Sequence, residues 1–322
     1  MKTVFLNSQN SLSTEPSVAT IGFFDGVHVG HRHLVRQVVE QARRLHLQSM
    51  VITFDRPPRE VLTGIVEPML LTSLDEKLAL LSQTGVDKAV VLPFSKELAA
   101  LTAYEFMAEV LQRQLNVRCL LIGYDNRFGR NRSEGFNDYV AYGRELGIDV
   151  MRAEELRVDG ECVGSSVVRR LLGEGRVEAA ANLLNRPYQL QGIVVHGYQQ
   201  GRLMGFPTAN LRPEPADRLV PAAGVYAVEV SWGKIEERGD LREERGKWMP
   251  AMLNIGTRPT FDGHEQSIEA HIFNFSGDLY DQRLAVRFLR RVRGEHRFDT
   301  VEELRQQLLL DREEIRKITD KI

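Results

Sequence analysis

The chain has 322 residues, which is long for one domain and sufficient for two. Its 42 Lys and Arg against 44 Asp and Glu give a net charge of -2, which argues against a basic nucleic-acid-binding protein. Two cysteines, Cys119 and Cys162, are too few for a disulfide framework or a cysteine zinc site. The sequence shows neither a secretory signal nor a run of ~18 apolar residues that would span a membrane. We therefore expect a cytoplasmic protein of two domains without a membrane partner.

The first half alternates strand-like and helical segments. Near-continuous apolar runs, as in a parallel sheet covered on both faces, occupy residues 18–24, 49–54, 87–94 and 117–123. Helical patterns occupy residues 33–45, 73–85 and 103–115, and a capping box is expected at Ser73 and Glu76. This alternation predicts an open α/β sheet, with ligands at the C-terminal ends of its strands.

After Pro187 strand-like segments follow one another directly, which predicts an antiparallel barrel. They cover residues 188–198, 224–232, 248–256, 267–275 and 283–291. The charged segment 234–247 is expected to be a solvated hairpin loop. A final helix over residues 300–318 is expected to pack Val301, Leu304, Leu308 and Ile315 on the barrel. We place the domain boundary near residues 185–188, which gives domains 1–185 and 186–322.

Residues 22–31, Gly-Phe-Phe-Asp-Gly-Val-His-Val-Gly-His, end the first of these strands and open a helix. Glycines allow close approach of a ligand to the backbone, and a helix N-terminus attracts phosphate. His28 and His31 are three residues apart, so both imidazoles can face one anion. The simpler interpretation is a tight turn with two surface histidines. The candidate phosphate-binding residues here are Gly22, Phe24, Asp25, Gly26 and Gly30.

With its HxGH pattern, the segment resembles the HxGH nucleotidyltransferases and, more closely, the bifunctional bacterial FAD synthetases. Residues 122–132 are similar to a flavin- and nucleotide-binding motif of that family, and residues 163–188 to its Ser-Ser-Thr segment. The resemblance implies a Rossmann-like FMN adenylyltransferase domain with His28, His31 and Arg169 as catalytic residues. It further implies flavin or nucleotide binding by Asp125, Arg127 and Phe128, and ATP binding by Ser165 and Ser166. The serines can equally serve as helix caps.

Transfer of AMP to a phosphate group requires positioning and charge neutralisation rather than a general base, because the attacking phosphate is already ionised. Histidine, serine and arginine donors suit that task. One departure from the family is Arg56-Pro57-Pro58, which stands where Pro-His-Pro is usual. It motivates an alternative in which the chain keeps the kinase and has lost AMP transfer.

Residues 201–210, Gly-Arg-Leu-Met-Gly-Phe-Pro-Thr-Ala-Asn, form the second motif. Thr208 and Asn210 place two oxygen ligands on one side of an extended strand, and oxygen ligands suit Mg²⁺. Taken alone, the segment can also be a turn before an edge strand. It resembles the riboflavin kinase signature, which implies a six-stranded flavokinase barrel. By that resemblance ATP and Mg²⁺ bind at Gly201, Arg202, Gly205, Thr208 and Asn210.

Further segments similar to riboflavin kinases follow at residues 221–230, 253–261 and 268–311. Glu269 corresponds to the family's catalytic base, which would accept the proton of the riboflavin 5′-hydroxyl. A basic cluster follows, made up of Arg287, Arg290, Arg291, Arg293 and Arg297. We interpret this cluster as a solvated face with one or two ion pairs, to Glu295 or Asp299, rather than as a nucleotide or nucleic-acid contact.

Together the resemblances imply a bifunctional enzyme that phosphorylates riboflavin to FMN and adenylylates FMN to FAD. Its substrates would be riboflavin, FMN and ATP, with Mg²⁺ as cofactor. An alternative from another class is a flavin- or nucleotide-binding regulator without turnover, and a third is a nucleic-acid module. The oligomeric state, transfer of FMN between the sites, the redox state of the flavin and product inhibition stay open.

Overall fold

A computed structural model describes residues 1–6, 15–65, 69–124, 126–158, 161–197, 201, 205–233, 247–260 and 263–320. The chain divides into two compact units. The first unit contains Met1–Glu67 and Thr72–Gly164, and the second contains Pro68–Leu71 and Ser165–Ile322. The second compact unit therefore starts at Ser165, upstream of the predicted domain boundary at 185/186. How the two activities divide along the chain stays a prediction.

The first unit is an α/β structure. Its strands, in chain order, are β1 (Lys2–Phe5), β2 (Ser17–Ile21), β3 (Gln48–Phe54), β4 (Lys88–Leu92), β5 (Val117–Ile122) and β6 (Asp149–Arg152), with a short hairpin β7 (Arg157–Val158) and β8 (Glu161–Cys162). Its helices are α1 (Val29–Leu45), α2 (Pro58–Thr63), α3 (Leu74–Ser82), α4 (Lys96–Ala100), α5 (Ala103–Glu105) and α6 (Phe136–Leu146). The four predicted strands and the first two predicted helices of this unit are confirmed, and so is the capping box at Ser73 and Glu76.

Within the described residues, β1 to β6 form one parallel sheet in the order β1-β4-β3-β2-β5-β6. All five residues of β2 are buried, as expected of a central strand covered on both faces. From β2 the chain moves first to one side, through β3, and later to the other, through β5. The end of β2 is therefore the switch point of the sheet, where ligands of open α/β sheets bind. Residues 22–31 lie directly after it.

The sequence did not predict every element of this unit. The edge strands β1 and β6 are only four residues long, and the helix α6 was not predicted. The predicted helix 103–115 is α-helical only over α5 and continues as a π-helix over Phe106–Gln114. A π-helix closes its hydrogen bonds one residue later than an α-helix, which a hydrophobic repeat does not reveal.

The second unit is built around a closed barrel. Its elements are the helices α7 (Ser165–Gly173) and α8 (Val177–Leu184), the strands β9 (Tyr188–Val195), β10 (Ala209–Pro213), β11 (Gly224–Gly233), β12 (Met249–Thr260), β13 (Gly263–Ile272) and β14 (Arg283–Arg293), and the helix α9 (Val301–Thr319). As far as the chain is described, the barrel has six antiparallel strands in the order β10-β13-β12-β11-β14-β9. This confirms the predicted barrel with its C-terminal helix. The predicted loop 234–247 lies, except for Lys247, outside the described residues.

The helices α7 and α8 pack against the barrel. Val168, Leu171 and Leu172 of α7 belong to the same buried apolar cluster as the barrel interior. Arg291 of β14 donates hydrogen bonds to the carbonyls of Glu174 and Ala223, and Arg290 forms an ion pair with Glu178 at 3.4 Å. These contacts explain why the second compact unit includes residues 165–184.

We expect the change Leu172→Ala to destabilise the second unit, because Leu172 is fully buried in the cluster it shares with the barrel. Truncation of a buried leucine typically costs about 2–5 kcal/mol. The two tryptophans of the chain, Trp232 and Trp248, belong to this unit, so tryptophan fluorescence during urea unfolding follows it. The matched control is Leu310→Ala, since Leu310 is 60% exposed. An unchanged midpoint for Leu172→Ala would contradict the packing of α7 on the barrel.

The helix α9 differs from its prediction at its first turn. Leu308 and Ile315 pack on the outer face of the barrel as expected, together with Leu309 and Ile318. Val301 was predicted to pack there but is 69% exposed, so that prediction is wrong. Helical spacing places Val301 on the apolar face of α9, but that face meets the barrel only further along the helix.

The basic cluster after β13 has structural partners. Arg293 forms a bidentate ion pair with the buried Asp311 of α9, with contacts of 2.8–3.1 Å. Arg287 stacks on Trp248 at 3.7 Å. The interpretation as a face with structural ion pairs agrees with these contacts. The ion pairs seen here join Arg293 to Asp311 and Arg290 to Glu178, two partners that the sequence did not indicate.

Both cysteines are free thiols, as the composition predicts. Cys119 is buried in β5, and burial raises the pKa of its thiol to about 11, which keeps it protonated and unreactive. None of the helices in the described part of the chain combines the length and the apolar character needed to cross a bilayer.

Candidate functional sites

The turn after β2 is held in an unusual backbone conformation. Phe24, Gly26 and Val27 have φ values of 56°, 79° and 40°. Positive φ is costly for side chains with a Cβ, and most of all for β-branched ones such as Val27. A Cβ on Gly22 would lie 3.1 Å from the Phe24 ring, so glycine is needed there for close packing. Strain of this kind is characteristic of functional sites.

Asp25 lies at the centre of this turn and is 3% exposed. Its carboxylate accepts hydrogen bonds of 3.1 Å from the backbone N–H and the hydroxyl of Thr72. The hydroxyl of Thr72 in turn accepts a 3.0 Å hydrogen bond from the N–H of Gly26. The predicted site residue Asp25 therefore shapes the turn from within, and Thr72 is a partner that the sequence did not indicate.

His28 and His31 come together at the start of α1, as the spacing predicts. His28 is the N-cap residue of α1, and its Nδ1 accepts a hydrogen bond of 3.3 Å from the N–H of His31. The two rings stack with their centroids 3.6 Å apart. A Cβ on Gly30 would lie 3.2 Å from the His28 ring, so the second glycine of the motif allows that ring to pack closely.

Lys77 of α3 lies against this turn, and the sequence did not indicate it. The side chain is 3% exposed and donates hydrogen bonds to the carbonyls of Phe54, at 2.8 Å, and Phe23, at 3.2 Å. Burial lowers the pKa of Lys77 to about 8, against the attraction of Asp25 and Asp55, which favours the charged form. Its spacing from Leu78 and Leu81 puts Lys77 beside the buried face of α3, but a lysine there does not by itself indicate a site.

The motif over residues 122–132 is described in part. Asp125 lies outside the described residues. Arg127 is exposed, whereas the Phe128 ring stacks on Tyr139 at 4.3 Å and the Tyr139 hydroxyl bonds to the backbone of Phe128. A Cβ on Gly129 would lie 2.6 Å from the backbone of Ala103. These contacts give the motif a packing role beside the predicted binding role.

The predicted residues Ser165, Ser166 and Arg169 belong to the second compact unit. Ser165 is the first residue of α7, and the guanidinium of Arg169 donates a 2.8 Å hydrogen bond to the Met69 carbonyl. In the first unit, the departure Arg56-Pro57-Pro58 starts the helix α2, with Pro57 as its N-cap residue. A proline at this point is compatible with the first helical turn because its missing N–H is not needed there.

In the second unit, Glu269 and Thr208 lie together on the outside of the barrel. The Thr208 hydroxyl donates a 3.2 Å hydrogen bond to the Glu269 carboxylate, and Asn210 pairs with Glu269 across β10 and β13. Ile268 and Ala270 are 3% and 1% exposed and face the barrel core. The alternation predicted for this strand therefore places the half-buried Glu269 on the opposite, accessible face.

Two described residues of the glycine-rich motif, Gly201 and Phe206, are hydrogen-bonded to each other. The N–H of Phe206 donates a 2.8 Å hydrogen bond to the Gly201 carbonyl, and Gly205 has a φ of 80°, which favours glycine. Arg202 lies outside the described residues. His271 Nδ1 lies 2.9 Å from the Pro207 carbonyl and donates to it, which fixes the backbone next to Thr208. Burial lowers the pKa of His271, so the ring favours its neutral form.

Three more polar side chains converge beside Glu269, and the sequence did not single them out. A Cβ on Gly256 would lie 3.0 Å from Glu295 Oε1, 3.2 Å from Ser267 Oγ and 3.3 Å from Asn254 Nδ2. Asn254 is the partner of Glu269 in the pairing of β12 with β13. The glycine at 256 therefore leaves room for a polar cluster next to the predicted base.

The fold and these two sites define a transferase with two nucleotide-dependent modules. A FAD synthetase family model matches residues 10–167, and a riboflavin kinase family model matches residues 184–319. The chain belongs to the family of bifunctional riboflavin kinase/FMN adenylyltransferases. It therefore couples phosphorylation of riboflavin to FMN with adenylylation of FMN to FAD, and its substrates are ATP and flavins.

Two curated relatives and one solved structure align with this chain over nearly its full length. The bifunctional riboflavin kinase/FMN adenylyltransferase of Escherichia coli K12 is 39% identical over 92% of this chain and 91% of its own length. The enzyme of the same description from Bacillus subtilis is 31% identical over 98% and 97%. The crystal structure of a Streptococcus pneumoniae protein described as a macrolide-efflux protein is 32% identical and superposes with a TM-score of 0.85 over 98% of this chain and 99% of that one.

Proposed function

We propose that the two reactions use the two sites separately. FMN adenylylation is assigned to the turn and helix start at residues 22–31, with Ser165, Ser166, Arg169 and the motif around Asp125, Arg127 and Phe128. Riboflavin phosphorylation is assigned to the Thr208, Asn210 and Glu269 site. The division into domains 1–185 and 186–322 belongs to the same proposal. What supports it is that the FAD synthetase model covers residues 22–31 and both serines, and the riboflavin kinase model covers Thr208, Asn210 and Glu269.

For AMP transfer, the chain's task is to bind and neutralise phosphates. The N-terminus of α1 offers backbone N–H groups, and His28 and His31 lie at its first turn. The strained turn with Asp25 and Thr72 fixes where α1 begins. Donors that are already in place cost little reorganisation when charge moves to the departing pyrophosphate.

For riboflavin phosphorylation, Glu269 is positioned to take the proton of the 5′-hydroxyl. Its hydrogen bond from Thr208 orients the carboxylate at the surface of the barrel. Thr208 and Asn210 offer neutral oxygen atoms, which fit Mg²⁺ bound together with ATP phosphates. Bound there, Mg²⁺ would neutralise phosphate charge, and Gly201, Arg202 and Gly205 would surround the phosphates.

The observation that carries this assignment is the pairing of Glu269 with Thr208 and Asn210 on one accessible face. The test is to incubate the purified chain with riboflavin, ATP and Mg²⁺ and to separate the flavins by chromatography. We expect FMN to appear first and FAD to follow, and removal of Mg²⁺ by EDTA to stop FMN formation. Product that stops at FMN would favour the alternative in which AMP transfer is lost with Arg56-Pro57-Pro58.

We also propose that the enzyme acts in the cytoplasm, on small molecules, and without nucleic acid as a partner. The near-zero net charge and the structural partners of the basic cluster support this. The efflux description of the Streptococcus pneumoniae structure is not carried to this chain, since both family models and the curated relatives name transferases that act on flavins.

A further inference from the structure

Lys77 is a buried cation of the first unit that the two reaction assignments leave unused. Its side chain lies beneath the turn at residues 22–27 and is 3% exposed. The ammonium group donates to two backbone carbonyls, of Phe54 at 2.8 Å and of Phe23 at 3.2 Å, and lies 4.3 Å from the centre of the Phe23 ring. Burying a charged group is costly, so this arrangement needs a compensating role.

The two carbonyls mark the C-terminal ends of neighbouring parallel strands. Phe54 is the last residue of β3, and Phe23 follows β2 by two residues. Between Phe23 and His28 the backbone takes positive φ at Phe24 and Val27, which isolated chains avoid. Such conformations persist only where surrounding groups hold them. Lys77 therefore fixes the first residue of a strained segment that ends at His28.

The same end of α3 holds the turn at a second point. Thr72, just before the helix, bonds to Asp25 and Gly26, while Lys77 bonds to Phe23 one helical turn later. Asp25 and Asp55 supply negative charge close to the ammonium group, which balances it. A cation at this point also offsets carbonyl and carboxylate charge beneath a turn that would otherwise repel phosphate.

We propose that Lys77 is a positioning residue for FMN adenylylation, whose ammonium group holds the carbonyls of Phe23 and Phe54 and thereby places His28. The proposal rests on the assignment of AMP transfer to residues 22–31. It requires no contact between Lys77 and the nucleotide. The residue acts through the turn, so its loss should alter the rate of AMP transfer more than the affinity for flavin.

The experiment compares Lys77→Met with Lys88→Met in the full-length enzyme. Lys88 is a matched control because it is also a buried lysine of the first unit, 9% exposed, but lies at the start of β4, away from the turn at residues 22–27. We expect Lys77→Met to lower kcat for FMN adenylylation at least tenfold, since misplacement of catalytic groups by about 1 Å can cost about 100-fold. KM for FMN should change less than about threefold, and Lys88→Met should retain kcat within about threefold. The rate of riboflavin phosphorylation, measured on the same preparation of each variant, shows whether the enzyme is folded.

The outcomes distinguish failure of the Lys77 proposal from failure of the assignment of AMP transfer to residues 22–31. Wild-type kcat in folded Lys77→Met, or an equal loss in Lys88→Met, overturns the role of Lys77. If Lys77→Met does not fold, Lys77→Gln decides, because an amide keeps a donor without the charge and should show the same drop in kcat. His28→Asn is measured alongside: retained adenylylation in that variant would overturn the assignment of residues 22–31, whatever Lys77→Met shows.

Discussion

Replacing Glu269 with glutamine is expected to lower kcat for riboflavin phosphorylation by about 10²–10⁴, the usual contribution of a positioned general base. The amide keeps the size of the side chain and can still accept the hydrogen bond from Thr208, so the strand and the loop before it should keep their positions. What is lost is the group that takes the proton of the 5′-hydroxyl. Adenylylation of supplied FMN should continue at the wild-type rate. The measurement is chromatography of flavins from riboflavin in one reaction and from FMN in another.

A matched control for this variant is Glu229→Gln. Glu229 is also half-buried in a barrel strand, but it pairs with Pro250 and Arg287 on β12 and β14, away from Thr208. We expect both reactions of this control to stay near the wild-type rate. Phosphorylation that survives in Glu269→Gln would remove Glu269 as the base. Loss of both reactions in folded protein would show that the two activities are not carried by separate sites.

The sequence alone predicted which way the Glu269 side chain faces, because strand alternation is a local property. Once residues 268–272 are a strand, Ile268 and Ala270 face the core and Glu269 must face outward. The pairing of Glu269 with Thr208 spans 61 residues and followed only from the resemblance to riboflavin kinases. Asn254, Ser267 and Glu295 were missed because nothing local to any one of them indicates that they meet above Gly256.

The hardest property to predict from the sequence was which element or residue each buried side chain contacts. The periodicity of α7 and α8 shows that each helix has an apolar face. It does not show which element packs against that face, and in this structure it is the barrel. Lys77 lies beside the buried face of α3, but its carbonyl partners follow only once the neighbouring strand ends are placed. Arg293 pairs with Asp311, 18 residues downstream, because the chain reverses from β14 into α9.

Replacing both His28 and His31 with alanine is expected to stop FAD formation while FMN formation continues. Removal of one preorganised donor typically costs about 10²–10³ in kcat, and here two adjacent imidazoles are lost. Because the rings stack on each other at the start of α1, each also fixes the orientation of the other. Chromatography of a reaction with riboflavin, ATP and Mg²⁺ should show FMN accumulating without FAD.

The double change also removes the side chain that caps α1, and loss of an N-cap typically costs about 0.5–2 kcal/mol. His28→Asn separates the two effects, because asparagine is a good cap but carries no imidazole. His33→Ala is the matched control, since His33 lies on the same helix and contacts Arg36 instead of the turn. We expect the asparagine variant to fold and to lose FAD formation, and the control to keep it. FAD formation that persists in folded His28→Asn and in the double variant would show that the HxGH segment does not carry AMP transfer.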